Sequence, residues 1–286
     1  MVQLEQVREI VAETVTIPTI PTTLQEINRI IHDPDGSAKE ASEFIAKDVA
    51  IAPKVLRLAN SPLCGLRNPV SDIQQAVSIL GLKMLRNLVL QATVLETMCP
   101  TVASVQCDPR SLWDHSFKVA QVARTLTKIS HVDFGLTRDE AYTAGLLHDV
   151  GKIILLNHDG QKIQQALTRS AEEGVPMFLA EEEAFGFNHA HIGAVLADSW
   201  GLGDCLRHAI LYHHEPPKDG ETEEDAIAAM RGTLIRLSNS LSHRFTPRPM
   251  LYTPDHVSEE GMAVLQLGVE GMDQIELTVK ETSLDY

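Results

Sequence analysis

Basic residues are scarce in this chain. Of its 286 residues only 24 are Lys or Arg, against 39 Asp or Glu, giving a formal charge of −15 at pH 7. A surface of that sign repels a phosphate backbone, so neither DNA nor RNA is expected as a direct partner. Cysteine is sparser still. Cys64, Cys99, Cys107 and Cys205 show no CxxC spacing, and four in a chain this long are too few for a disulfide framework. Reduced thiols that act as packing groups are expected. No apolar run approaches the roughly 20 residues that cross a bilayer, and no basic, apolar, small-residue leader opens the chain. Together these absences predict a soluble, cytoplasmic protein with no membrane contact. Strand-like alternation, internal repeats and low-complexity tracts are also missing.

What is present is helical periodicity. Leu4, Val7, Ile10 and Val11 already follow an i, i+3, i+6, i+7 stripe. After the turn IPTIP, where Pro18 and Pro21 stop a helix and Thr22 or Thr23 can cap the next, short helices follow to about residue 100: LQEINRIIHD, ASEFIAKD, VAIAPKVLRLAN and SDIQQAVSIL. Ser71 or Asp72 can cap the last of these. Gly81 then separates it from KMLRNLVLQATVLETM, apolar over most of its circumference and therefore expected to be central, buried and the join between two lobes. CPTVASVQCDPR has the proline and small polar residues of a connection. Long helices are expected beyond it, around SLWDHSFKVAQVARTLTKI, RDEAYTAGLLHDVGKIILLN, GQKIQQALTRSAEE, NHAHIGAVLADSW, GDCLRHAILYHH and AIAAMRGTLIRLSNSLSHRF. HEPPKDGETEEDA reads as an exposed acidic loop between the last two, and GMAVLQLGV and MDQIELTVKE as short closing helices. The chain is long enough for substantial cores. The resulting expectation is an all-α, two-lobed helical bundle: an N-terminal helical lobe over 1–105, a second helical lobe over 106–250 and closing helices over 251–286.

The chemistry concentrates in the second lobe. His148 and Asp149 stand adjacent in the apolar-flanked GLLHDVGKIILL, with His115 before them and His189, His213 and His214 after, all on segments that read as helices. A lone histidine on an apolar helix is ordinarily a hydrogen-bonded core residue. Two polar doublets, His148-Asp149 and His213-His214, are harder to place that way, because burying adjacent polar side chains is costly unless they are paired or ligated. Imidazole and carboxylate are ligands that divalent iron, manganese, zinc or nickel accept, and groups this far apart in sequence converge only if the helices pack as one bundle. His191 lies two residues from His189, about 200° around a helix, and is not expected to join them. Met177, Phe178 and Phe185 read as a core stripe, and Trp113 and Trp200 as packing residues beside the histidine helices.

At these residues the chain resembles the HD superfamily of metal-dependent phosphohydrolases, and within it the HDOD output domains of bacterial signalling proteins. The resemblance starts at IPTIP and runs through HDPDGSAKEASEFIAKDVAIAPKVLRLANSPLCGLRNPVSDIQQAVSILGLKMLRNLVL. It resumes with LWDHS, AGLLHDVGK, NHAHIGAVLADSWGL and AILYHHEP, about residues 17 to 245 in all. It implies that His115 is the first metal ligand, His148-Asp149 the signature doublet, and His189, His213 and His214 the further histidines of two-metal versions. Active relatives supply an Asp from the next helix, where this chain has Asn239, a carbonyl ligand without charge. Ser111 stands where trinuclear relatives have Glu, which argues against a third metal. Asp114, beside His115, is either a substitute ligand, a group that supports the ligands from behind, or a solvated helix carboxylate, the last being the commoner role.

If metal is bound, the resemblance implies hydrolytic phosphoryl transfer, with Asp149 bridging two ions and a water between them as nucleophile. Lys152, one turn after His148, would bring positive charge to a substrate phosphate; the alternative is an exposed lysine snorkelling from an apolar helix. The Gly-Tyr-Pro signature of the HD-GYP enzymes, which cleave cyclic di-GMP, is absent from HHEPPKDGETEED, and so is the set of basic residues that would hold such a ligand, Lys218 being the one lysine or arginine in the stretch. Two functions follow. The first is a signal-transduction output module acting mainly through protein contacts with a receiver or other regulatory domain. The second is a metal-dependent phosphohydrolase acting on a nucleotide or other small phosphoester. An acidic surface is compatible with a monomer or a dimer.

Overall fold

The structure is a computed structural model of the full chain, and it describes residues 4–14, 26–27, 29–31, 33, 36–47, 51–60, 70–98, 109–217, 222–245, 265 and 267–281. Among them every regular element is a helix. The IPTIP turn and its Thr22 or Thr23 cap, the 99–108 connection, Cys64, Cys99, Cys107, the middle of the acidic loop and most of GMAVLQLGV lie outside the described residues, as do the side chains of Ser111 and Trp113.

Two compact units are present, Ile17–Met98 in one, and Met1–Thr16 with Cys99–Tyr286 in the other. In the first, α2 (Ala38–Ile45), α3 (Ile51–Ala59) and α4 (Ile73–Met98) follow one another, with α2 and α3 packed on α4. Ser37 caps α2 by accepting the Glu40 N–H, one of the orphan donors of a helix start. Ile51, Val55 and Ala59 form the buried stripe of α3, and Ala76, Val77, Met84, Leu85 and Val89 that of α4. Asn60 then closes a polar latch. Its Nδ2 donates to the Val70 carbonyl at 2.7 Å while its Oδ1 accepts the Val70 N–H at 2.6 Å. Gly81, at φ 76 and ψ 160, bends α4 where the sequence separates two helices; a side chain there would disfavour the left-handed φ.

The second unit carries the histidines. Its helices are α1 (Leu4–Thr14), α5 (Pro109–Ile129), α6 (Arg138–Leu147), α7 (Val150–His158), α8 (Gly160–Glu173), α9 (Met177–Phe185), α10 (His189–Ser199), α11 (Asp204–Leu211), α12 (Glu223–Arg244) and α13 (Val269–Glu281). The core forms on the α5 stripe Val119, Val122, Ala123 and Leu126, against Ala141 and Ala144 of α6, Leu206 and Ala209 of α11, Leu234, Ile235 and Leu241 of α12, and Ile275 and Val279 of α13. Each fully buried Leu or Ile contributes about 1.5–3 kcal/mol by leaving water. α1 packs on α7 and α10, and α10 on α7 and α11.

Three sequence expectations are corrected here. The segment read as one helix through His148 and Asp149 is two, α6 ending at Leu147 and α7 starting at Val150. The helix read through His213 and His214 stops at Leu211. In both places the side chains that would line a helix surface turn instead to a buried polar cluster. The acidic loop, in turn, gives up Glu223, Glu224 and Asp225 to the first turn of α12, where Thr222 and Asp225 form a capping box. Carboxylates at that end interact favourably with the helix dipole, so an acidic run that reads as a solvated loop is here a helix start.

Candidate metal centre

The site is assembled from helix ends. His148 caps α6 and donates Nδ1–H to the carbonyl of Gly145, three residues back, at 2.7 Å. His213, just past α11, makes the same bond to Ile210 at 2.6 Å. Each ring thus satisfies a carbonyl that the helix leaves without an intrahelical partner. A carbonyl only accepts, so the proton sits on Nδ1 and the Nε2 lone pair is left for the cluster. Between α6 and α7, Asp149 adopts φ −100 and ψ 5, the bridge region that many active-site residues occupy. Its carboxylate makes no capping hydrogen bond to α7.

That carboxylate joins two groups of histidines. Oδ2 lies 3.2 Å from His148 Nε2 and 3.9 Å from His115 Nε2, and Oδ1 lies 3.1 Å from His189 Nε2 and 2.9 Å from Lys152 Nζ. His189 Nε2 is in turn 3.3 Å from His213 Nε2 and 2.9 Å from His214 Nε2. Within each of the triads His115-His148-Asp149 and His189-His213-His214, one potential ligand atom per residue lies within 4.8 Å of the others. His148, His189 and His213 have no exposed surface, and Asp149 is 1% exposed. All six sequence-predicted His and Asp ligands are therefore brought together, with Lys152 beside them.

Asn239 is buried on α12, and its Oδ1 has no hydrogen-bond partner among the described residues. One turn later on the same helix, His243 stacks on the His115 ring, with centroids 4.5 Å apart and planes 24° from parallel. Asp114, partly exposed, pairs with the buried Lys118 at 2.5 Å, and His191 serves in the α10 capping box with Asn188. Met177, Phe178 and Phe185 are buried, and Phe178 lies flat against the His214 ring at 4.4 Å.

Two residues at the site escape the sequence reading. The first is Glu181 on α9, with no exposed surface, whose Oε2 accepts from His189 Nδ1 at 2.5 Å and from the His189 N–H at 2.9 Å. The second is His243. Glu181 sits three residues from Phe178 and four from Phe185, on the apolar stripe of its helix, and a carboxylate on such a face was the available signal. For His243 the signal was its i+4 spacing from Asn239.

Burial and mutual crowding set the charges. Burial, then His243 and His148, holds His115 well below its ordinary value. Burial with the neighbouring histidines does the same to His213 and His214. Burial would lower His189 as well, but Glu181 and the bond to Asp149 outweigh it and raise it. Burial would raise Asp149, yet His148, Lys152 and its hydrogen bonds leave it well below the usual carboxylate range. Imidazoles that turn Nε2 toward one ionised carboxylate form a donor set that suits a divalent transition metal, which binds them in their unprotonated form. An orphan Asn239 carbonyl oxygen and a His189 backed by Glu181 are consistent with the same fit.

Comparison with known proteins gives the family context. A curated relative, an uncharacterized protein of Treponema pallidum, is 29% identical over 238 residues, which is 82% of this chain and 45% of that protein. The chain thus spans about half the length of this relative. Among solved structures, an HDOD domain protein of unknown function from Geobacter sulfurreducens superposes with a TM-score of 0.69 at 28% identity, covering 98% of this chain and 93% of that one. A candidate signal-transduction protein from Marinobacter aquaeolei superposes with a TM-score of 0.73 at 20% identity, covering 99% of this chain and 65% of that one. The HDOD domain family matches residues 17–216. With the match extending from before α2 to beyond the His213-His214 doublet, this chain belongs to the HDOD domain family.

Proposed function

We propose that the chain is an HDOD-type signal-transduction output module that acts mainly through contacts with a receiver or other regulatory domain and keeps a metal centre derived from a phosphohydrolase. Asn239 carries this reading. It places an uncharged amide where the resemblance calls for a carboxylate, which leaves Asp149 as the one acidic group shared between the two triads among the described residues. The name of the Marinobacter relative supports a signalling role. His115, His148 and Asp149 would hold a divalent ion on one side, and His189, His213 and His214 on the other. A bound iron, manganese, zinc or nickel ion would supply Lewis acidity toward a phosphoryl oxygen.

The second reading, a phosphohydrolase acting on a nucleotide or other small phosphoester, is favoured by the convergence of both triads. In it, Asp149 and the histidines position the reacting phosphate, and Lys152 holds one of its oxygens. The test is elemental analysis of chelator-free protein, followed by assay of a phosphoester and nucleotide panel with manganese or iron added. Metal content without turnover supports the output module, and turnover abolished by Asp149→Ala supports the enzyme. Protein that takes up no metal removes the metal centre from both readings. Asn239→Asp adds a carboxylate and is expected to raise Mn2+ affinity in a titration; unchanged affinity would mean that residue 239 does not face the ion.

A further inference from the structure

Lys152 lies on α7, one turn beyond Asp149, and folds back so that Nζ meets Asp149 Oδ1 at 2.9 Å. Only 13% of its side chain remains exposed. Its partner oxygen also faces His189 Nε2 at 3.1 Å, and the other carboxylate oxygen faces His148 Nε2 at 3.2 Å. The Asp149 carboxylate, itself 1% exposed, is therefore surrounded by the chain's own nitrogen atoms. One of them is the Lys152 ammonium, a compact point charge on a flexible four-carbon stem.

We infer that Lys152 is a tethered counter-cation of Asp149, which a divalent ion must displace in order to bind. This rests on the metal-centre reading above. An ammonium and a dication cannot share one buried carboxylate without strong repulsion, because like charges at close range are poorly screened away from water. A second acidic ligand at position 239 would let the site hold both; with Asn239 there, Asp149 neutralises either Lys152 or an ion. Displacement has a second effect. It swings the Lys152 ammonium off Asp149 and makes it available to an anion such as a phosphate group, so metal loading and anion binding are coupled through one side chain.

The test uses the full chain, stripped of metal and titrated with Mn2+, with free Mn2+ read by its electron paramagnetic resonance signal. K152M, which keeps the bulk of the stem without the charge, is expected to bind Mn2+ about tenfold or more tightly than the wild type, the scale on which groups beside a metal site alter affinity. Its metal-free form should melt at a lower temperature than the wild type, with Mn2+ restoring the loss, because a buried carboxylate has lost its partner. K152R retains a fixed cation and should stay a weak binder. If K152M does not fold without metal, K152Q is read in the same two assays. Equal or weaker Mn2+ binding by the uncharged variants overturns the inference and leaves the metal centre standing. Absence of Mn2+ binding in all variants overturns the metal centre and the inference with it.

Discussion

Glu181 is the residue whose role is least visible in the sequence and most defined by geometry. Its Oε2 takes both the ring Nδ1 and the backbone N–H of His189, which fixes the direction of the ring and turns Nε2 toward Asp149, His213 and His214. It is a positioning residue, acting on the site through His189. Glu181→Gln keeps the shape and removes the charge, so Mn2+ affinity measured calorimetrically is expected to fall by about 10- to 100-fold. Glu181→Asp should recover part of that loss. If Glu181→Gln binds Mn2+ as the wild type does, the carboxylate only fills space. That the six candidate ligands belong together was legible from residue type and doublet spacing, because few other roles accommodate adjacent buried polar side chains. Glu181 was hidden in the run EEEAF, where its neighbours Glu182 and Glu183 are partly or fully exposed; nothing local distinguishes the one carboxylate turned inward.

At the scale of elements, the stripes on α5, α8, α10 and α12 could be read from periodicity, since burying an apolar face is the same requirement in the sequence and in the fold. The breaks at Asp149 and after Leu211 could not. Local propensity favours continuing those helices, and they end because buried contacts with distant residues claim the side chains. The helices also meet more closely at two glycines than their stripes suggest. A Cβ on Gly151 of α7 would lie 2.0 Å from the His189 carbonyl oxygen, and one on Gly232 of α12 would lie 2.2 Å from that of Tyr212, the residue before the double histidine. Both contacts are with backbone, so a side chain could be admitted only by moving a helix. Gly151→Ala is expected to cost about 1–3 kcal/mol or more in chemical denaturation and to weaken Mn2+ binding, because it pushes the α7 segment bearing Asp149 and Lys152 away from His189. Gly268, where a Cβ would have no neighbour among the described residues within 4 Å, is the control; Gly268→Ala should leave both measurements unchanged, and a Gly151→Ala protein as stable as this control would show that α7 and α10 are not in close contact.

For the molecule as a whole, the buried histidines give metal-free stability a maximum in pH. His115, His213 and His214, together with His208, which is lowered by burial and by Arg207 and Arg231, hold protons less well folded than unfolded. Below the ordinary histidine value of 6.5 the unfolded chain takes up protons that the folded chain refuses. Stability contributed by these groups is therefore present above that value and lost as pH falls toward their folded values. His189 has the opposite sign. Its folded value is raised, so its contribution is complete below 6.5 and is lost as pH climbs through the folded value. Each group can change stability by at most about 1.4 kcal/mol per pH unit, and the acid side involves four groups against one on the alkaline side. Urea denaturation of metal-free protein from pH 5 to 8.5 should accordingly show a maximum near pH 6.5, with the steeper fall toward acid. A divalent ion requires neutral imidazole, so saturating Mn2+ should raise stability most on the alkaline side and move the maximum upward. A profile that is flat, or that rises steadily from pH 6.5 down to pH 5, would mean that burial does not hold His115, His208, His213 and His214 below their ordinary value.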